Sequence, residues 1–232
     1  MASGGWRDYW SLLHPPYTVW HLSYVAIGAA AAPTLRLLHL GAALMGFLLG
    51  LGVAAHAFDE LRGRPLRTRI PDRTLWALGS LTLTAAIALG VAGAARVSWW
   101  LLAFVAAGGF LVLAYNLEVF GGAFHSVGWF AFAWGAFPAL TGGFAQEGSL
   151  TPPILLAAGF CALTAIVQQV LSKPVRLLRR RTLDVRGRVT LDDGTEMRLD
   201  ERALRAPPEG ALRWLSLAMP LLAAALITAR LP

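Results

Sequence analysis

The chain has 232 residues, of which 56% are apolar and only 14% are charged. Because soluble domains carry about 25% charged residues, this composition argues against a soluble protein. A net charge of +7 would suggest a nucleic-acid partner in a soluble protein. Here membrane topology explains the charge, and we expect no nucleic-acid partner. The single cysteine, Cys161, excludes an internal disulfide and cysteine-based metal clusters.

Apolar stretches long enough to cross a bilayer, about 20 residues each, recur along the whole chain. They are rich in Ala, Leu and Gly and lack the alternating pattern of a membrane β-barrel. The sequence therefore predicts an all-α, polytopic membrane bundle of about seven transmembrane helices. The predicted spans are 17–33, 36–58, 74–95, 98–116, 124–145, 152–172 and 211–230.

Cationic residues are spread unevenly around these spans. The side that would hold the N-terminus also holds five arginines between 62 and 73 and eleven Lys or Arg residues from 173 to 213. With Arg7, that side has 17 of the 20 cationic residues in the chain, and the other side has only Arg36, Arg96 and Arg230. The positive-inside rule therefore predicts an integral protein of a cytoplasmic-type membrane with its N-terminus in the cytoplasm.

Between the sixth and seventh spans lies the one sizeable segment that we expect outside the membrane. Residues 185–191 and 195–199 alternate in polarity around an Asp-Asp-Gly turn, which predicts a β-hairpin. The predicted organisation is a transmembrane helical domain at 1–174, a cytoplasmic insert with the hairpin at 175–209 and a C-terminal transmembrane helix at 210–232.

Polar side chains collect at the predicted cytoplasmic ends of the spans. The second span ends in His56, Asp59 and Glu60, which share one helical face. Glu118 follows the fourth span, and His125 opens the fifth. Because polar groups at membrane depth are costly, we expect these five side chains to converge.

Such a group would be a candidate site for a divalent metal, with all five side chains as candidate ligands. Imidazole together with carboxylate suits iron or zinc, whereas carboxylates alone suit Mg²⁺. A second interpretation is that Asp59 and Glu60 only form ion pairs with Arg62 or Arg64 at the membrane interface.

Residues 55–70, at the end of the second span, resemble the motif of a known family. They read Ala55-His56-x-x-Asp59-x-x-x-Gly63 and then Arg64-Pro65-Leu66-Arg67-Thr68-Arg69-Ile70. This resembles the Asn-Asp-x-x-Asp-x-x-x-Asp signature of the UbiA superfamily of intramembrane prenyltransferases, which is often followed by an Arg-Pro-Leu-x-x-Gly-Arg-Ile-like stretch. The resemblance extends over about residues 10–175 and includes His14-Pro15-Pro16, Tyr115 and Pro138.

The resemblance implies a UbiA-like bundle in which Mg²⁺ grips the diphosphate of an isoprenoid donor, and an acceptor captures the allylic carbocation. It implies catalytic roles for Asp59, Glu60 and Glu118. The chain differs from the family at both Asp-rich motifs, since His56 and Gly63 replace two Asp residues and Gln168-Gln169 stands where the second motif should fall. The candidate substrate-binding residues are Arg64, Arg67, Arg69, Tyr115, Asn116, Gln168, Gln169 and Lys173.

Three functions follow from these observations. The first is a UbiA-like membrane enzyme that acts on an isoprenoid or related lipid, by prenyl transfer assisted by a divalent metal. The second is a membrane oxidoreductase whose His and carboxylate residues hold a redox metal, and the third is a non-catalytic membrane scaffold. The family usually has three spans after the position of the insert, whereas this chain has one, which leaves a flank open and would allow a homodimer.

Overall fold

The computed structural model describes residues 5–231 of the chain. These residues form a bundle of helices with one small two-stranded sheet, as the sequence predicts. The helices are α1 (Trp6–Leu13), α2 (Pro15–Ala30), α3 (Leu37–Glu60), α4 (Asp72–Ala94), α5 (Leu101–Asn116), α6 (127–147), α7 (Pro152–Arg181) and α8 (Glu201–Thr228).

Four of these helices, α3, α4, α7 and α8, are long and apolar enough to cross a membrane, judged by length and composition. Their 23 to 30 residues exceed the length that a bilayer core requires, about 20 residues. The other three predicted spans also form helices, but α2 and α5 have 16 residues each. Large apolar side chains such as Leu81, Leu156 and Leu221 are exposed on the outside of the bundle, which suits contact with lipid.

Two of the helices contain a stretch of wider π-helical turns. In α3 this stretch is Leu48–Ala55, directly before His56, and in α6 it is Ala131–Ala136, which includes Trp134. π-Helical turns change the angular position of the residues that follow, and they are frequent at functional sites. Both stretches border the candidate site described below.

Helix α2 occupies the centre of the bundle. It packs against α6 and α8, and its Trp20, Tyr24 and Val25 are almost fully buried. A Cβ atom on Gly28 would lie 1.9 Å from the carbonyl oxygen of Ala139. The absence of a side chain at Gly28 is therefore what allows the backbones of α2 and α6 to touch, a packing mode typical of membrane helices.

The predicted hairpin is confirmed, with strands β1 (Gly187–Thr190) and β2 (Glu196–Leu199) paired antiparallel. It stands on extensions of α7 and α8, because α7 continues to Arg181 and α8 begins at Glu201. The predicted limits of the insert, at 175 and 209, thus fall inside these two helices. An ion pair of 2.6 Å between Arg179 and Glu209 joins the extensions.

Candidate functional site

The carboxylate of Glu60 holds the loop between α3 and α4 in place. The Glu60 side chain is fully buried, and its two oxygens accept hydrogen bonds from the backbone N–H groups of Leu66 (2.8 Å) and Thr68 (2.7 Å). A buried carboxylate with such partners has its charge satisfied locally. Glu60, predicted as a catalytic residue and metal ligand, thus has both oxygens engaged in shaping the loop.

The arginines of this loop differ in their surroundings. Arg64 has a left-handed backbone conformation (φ 54°), donates to the carbonyl oxygen of Ile70 at 2.6 Å and forms an ion pair with Asp72. Its guanidinium is therefore already engaged within the loop. Arg67 and Arg69, the other two predicted phosphate contacts, are exposed at the surface.

Glu118 lies on the rim of the site rather than inside it. Its side chain is 43% exposed and lies 3.7 Å from Arg62 and 4.0 Å from His125. Its φ of 51° is in the left-handed region, so the start of the loop between α5 and α6 is strained. Arg62 and Arg64 were candidate ion-pair partners of Asp59 and Glu60. In the structure, Arg62 pairs with Glu118 and Arg64 pairs with Asp72.

Among the five predicted metal ligands, His56 and Asp59 are the two that keep unpartnered polar atoms away from the exposed rim. Nδ1 of His56 lies 3.0 Å from the carbonyl oxygen of Gly52. Because a carbonyl can only accept, Nδ1 carries the proton and Nε2 is left as an acceptor. Asp59 is half-buried, and no hydrogen bond or ion pair joins its carboxylate to another of residues 5–231.

Tyr17, which the sequence analysis did not select, stands at the centre of the polar groups. Its ring lies 5.0 Å from that of His14, its hydroxyl lies beside Ser172 and Arg176, and the charge of Asp59 acts on it. Burial lowers the pKa of His14, which favours its neutral form. The residues gathered here, called the polar cluster below, are His14, Tyr17, His56, Asp59, Tyr115, Ser172 and Arg176.

One face of α7 supplies the far wall of the polar cluster. Gln168, Ser172 and Arg176 follow each other at intervals of four residues, so they lie along one helical face. Gln168 is fully buried, and both polar atoms of its side chain lack a partner among the described residues. This regular spacing was visible in the sequence and could have revealed Ser172 and Arg176.

The remaining predicted substrate-binding residues fall into two groups. Gln169 accepts a hydrogen bond from Arg176 at 3.2 Å and so borders the polar cluster, while Tyr115, a member of the cluster, stacks its ring on His125 at 4.6 Å. Asn116 donates to the carbonyl oxygen of Val112 in its own helix at 2.7 Å, and Lys173 is exposed. Among residues 5–231, neither Asn116 nor Lys173 forms a side-chain hydrogen bond with a residue of the polar cluster.

An apolar cavity of about 330 Å³ lies between α3, α4, α5 and α6. Trp134 lines its inner end, and the Trp134 ring lies 5.4 Å from the ring of Tyr115 in the polar cluster. The carbonyl oxygen of Trp134 accepts a hydrogen bond from Nδ1 of His21 at 2.7 Å. The cavity and the polar cluster are therefore neighbours that share the Trp134 wall.

The five predicted metal ligands do not form a metal centre. Across residues 5–231, no group of three or more His, Cys, Asp or Glu side chains is arranged to hold a metal ion. Glu60 is engaged by the loop backbone, while Glu118 and His125 lie together on the rim. The side chains therefore do not fit a metal bound through three protein ligands.

Compared with protein-family models, curated proteins and solved structures, the chain has no match in any of the three comparisons.

Proposed function

We propose that this protein is an integral membrane enzyme that acts on an isoprenoid or related lipid, with prenyl transfer as its reaction. The observation that carries the proposal is the contact between the polar cluster and the apolar cavity across Trp134. Enzymes that act on amphiphilic substrates need polar groups for the reacting end and an apolar space for the chain, and ligand pockets are usually apolar with a few polar groups.

The proposed topology has seven helical spans, with the polar cluster at the cytoplasmic face of a cytoplasmic-type membrane. Four long apolar helices support the membrane location. The 17 cationic residues on one side support the orientation. In this arrangement the hairpin and the loop after α3 are both cytoplasmic.

In the proposed reaction, the allylic carbon–oxygen bond of the donor breaks and its electron pair leaves with the diphosphate. The acceptor then bonds to the allylic carbon and releases a proton. Arg176 is placed to pair with the departing anion, since guanidinium binds phosphate oxygens in charge-assisted bonds. Nε2 of His56 and the carboxylate of Asp59 are acceptors that can bind donor groups of the acceptor molecule.

A divalent metal would neutralise the leaving diphosphate in such a reaction. Among the three carboxylates predicted to bind it, Asp59 is the one without a protein partner in residues 5–231. The roles proposed here are therefore those of protein side chains, and no step is assigned to a metal.

Reconstitution in proteoliposomes tests the proposal. Isoprenyl diphosphates of different lengths would be supplied with a set of hydroxylated aromatic acceptors, and diphosphate release and prenylated product would be measured. We expect Asp59→Asn to abolish turnover and Glu147→Gln, an exposed carboxylate at the end of α6 away from the polar cluster, to retain it. If the wild-type protein releases no diphosphate from any donor, the proposal is wrong.

A further inference from the structure

The apolar cavity has a second polar boundary, at the end away from the polar cluster. Two ionisable side chains, His39 and Arg96, line it there. His39 is fixed by a hydrogen bond of 3.0 Å between its Nδ1 and the carbonyl oxygen of Ala145. Arg96 is exposed, and within residues 5–231 its guanidinium has no hydrogen-bond or ion-pair partner.

Arg96 lies at the depth where lipid headgroups would be. It follows directly after α4, and the next tryptophans in the chain, Trp99 and Trp100, are 69% and 76% exposed. Exposed tryptophans mark the interface between hydrocarbon and headgroups in membrane proteins. A free guanidinium at this depth is placed to meet an anionic headgroup.

The walls behind Arg96 are built to leave room for a hydrocarbon chain. Glycines from three helices line the cavity, among them Gly46, Gly90 and Gly108. A Cβ atom on Gly108 would already lie 3.3 Å from the ring of Phe137, so larger residues there would fill the space. Leu38, another lining residue, is 75% exposed, which means that the cavity opens to the surface of the bundle.

We propose that this cavity binds an anionic lipid, with one hydrocarbon chain along the glycine-lined walls and the charged headgroup on Arg96. A headgroup with a net negative charge gives this guanidinium both charge-assisted hydrogen bonds and a counter-charge, whereas the phosphate of phosphatidylcholine is already neutralised by the ammonium of its own headgroup. The Arg96 end of the site lies away from the polar cluster, but the cavity is the same one that the proposed reaction uses for the substrate chain, so a bound lipid and the substrate would compete for it.

Lipid binding to the purified full-length protein in detergent, measured by native mass spectrometry, tests this site. The probes are oleate, dioleoyl phosphatidylglycerol and dioleoyl phosphatidylcholine, which share the same chain and differ in headgroup charge. Arg96→Gln removes the cation, and Arg36→Gln is its matched control, because Arg36 lies at the same end but does not line the cavity. Arg96→Lys keeps the charge.

A second pair of variants tests the chain-binding part. Gly46→Leu fills the cavity at a position where the nearest atom to a new Cβ is 3.9 Å away, so the helix can accept it. Gly41→Leu lies in the same helix with no atom within 4 Å and does not line the cavity. It therefore controls for the general effect of leucine in α3.

We expect one anionic probe to bind about tenfold more tightly than phosphatidylcholine, as the loss of a charge-assisted hydrogen bond would predict. Arg96→Gln should remove this preference, Arg96→Lys should keep it, and Gly46→Leu should prevent binding. Preference for oleate identifies a fatty acid, and preference for phosphatidylglycerol identifies a phospholipid of the leaflet.

Equal binding of all three probes, an unchanged preference in Arg96→Gln or normal binding in Gly46→Leu would overturn the proposal. Arg36→Gln and Gly41→Leu should bind as the wild-type protein does. Asp59→Asn should also bind normally, so that loss of the proposed activity and loss of lipid binding remain separate results.

Discussion

Nδ1 of His21 in α2 donates to the carbonyl oxygen of Trp134 in α6 at 2.7 Å. The two residues are 113 positions apart in the chain, and their bond ties the cavity wall to the central helix. His21 also lies 5.2 Å, ring to ring, from Tyr17 of the polar cluster. This contact therefore holds the two parts of the proposed site next to each other.

Replacement of His21 should destabilise the fold. In His21→Leu the carbonyl of Trp134 loses its partner inside the bundle, at a cost of about 1–3 kcal/mol. Thermal unfolding in detergent should show a lower midpoint. His125→Leu is the comparison, since its side chain is 46% exposed and should cost less; an equal loss in both variants would contradict the structural role given to His21.

The loop after α3 should depend on the charge of Glu60. In the wild type, both oxygens of Glu60 accept hydrogen bonds from backbone N–H groups of the loop. In Glu60→Gln, one of these oxygens is replaced by an NH₂ group, which faces a backbone N–H and cannot accept its hydrogen bond. The loop should open more often, and trypsin should cleave at Arg67 and Arg69 several-fold faster. Glu147→Gln should not change the cleavage rate. A loop equally resistant in Glu60→Gln would show that its conformation has another cause.

The close approach of α2 and α6 should tolerate no side chain at Gly28. In Gly28→Ala the new Cβ atom would meet the carbonyl oxygen of Ala139 at 1.9 Å, so the helices must separate. We expect a loss of about 3 kcal/mol or failure to accumulate in the membrane. Gly41→Ala, with no atom within 4 Å, should behave as the wild-type protein, and normal stability of Gly28→Ala would refute this packing.

The proposed orientation can be tested with single cysteines. In a Cys161→Ala background, Arg67→Cys should react with a membrane-impermeant thiol reagent only from the cytoplasmic side, because the proposed topology puts 17 of the 20 cationic residues there. Arg36→Cys should react only from the other side. Labelling of Arg67→Cys from outside would reverse the orientation and move the polar cluster to the opposite face.

Metal content distinguishes prenyl transfer from metal-dependent oxidation. The described side chains offer no group of three ligands, so we expect less than one equivalent of iron or zinc in the purified protein by elemental analysis. His56→Ala and His125→Ala should leave the metal content unchanged. A full equivalent of iron that is lost in both variants would favour the oxidoreductase function.

The sequence alone determined the elements of this protein that depend on local pattern. Long apolar stretches predicted the membrane-length helices, and alternation around Asp192-Asp193-Gly194 predicted the hairpin. These features are readable because the lengths of helices and the period of strands are set by neighbouring residues. The polar residues at the end of α3 also led to the prediction of a polar site at His56 and Asp59, and its function stays a prediction.

Only the tertiary structure decided which of these polar residues meet. Glu60 binds its own loop, Glu118 pairs with Arg62, and Tyr17 and Arg176 come together from helices distant in the chain. Membrane helices are apolar around most of their circumference, so their sequences do not mark which face is buried. The position of α2 at the centre, and with it the shape of the site, therefore depends on backbone contacts such as that between α2 and α6, which no local pattern predicts.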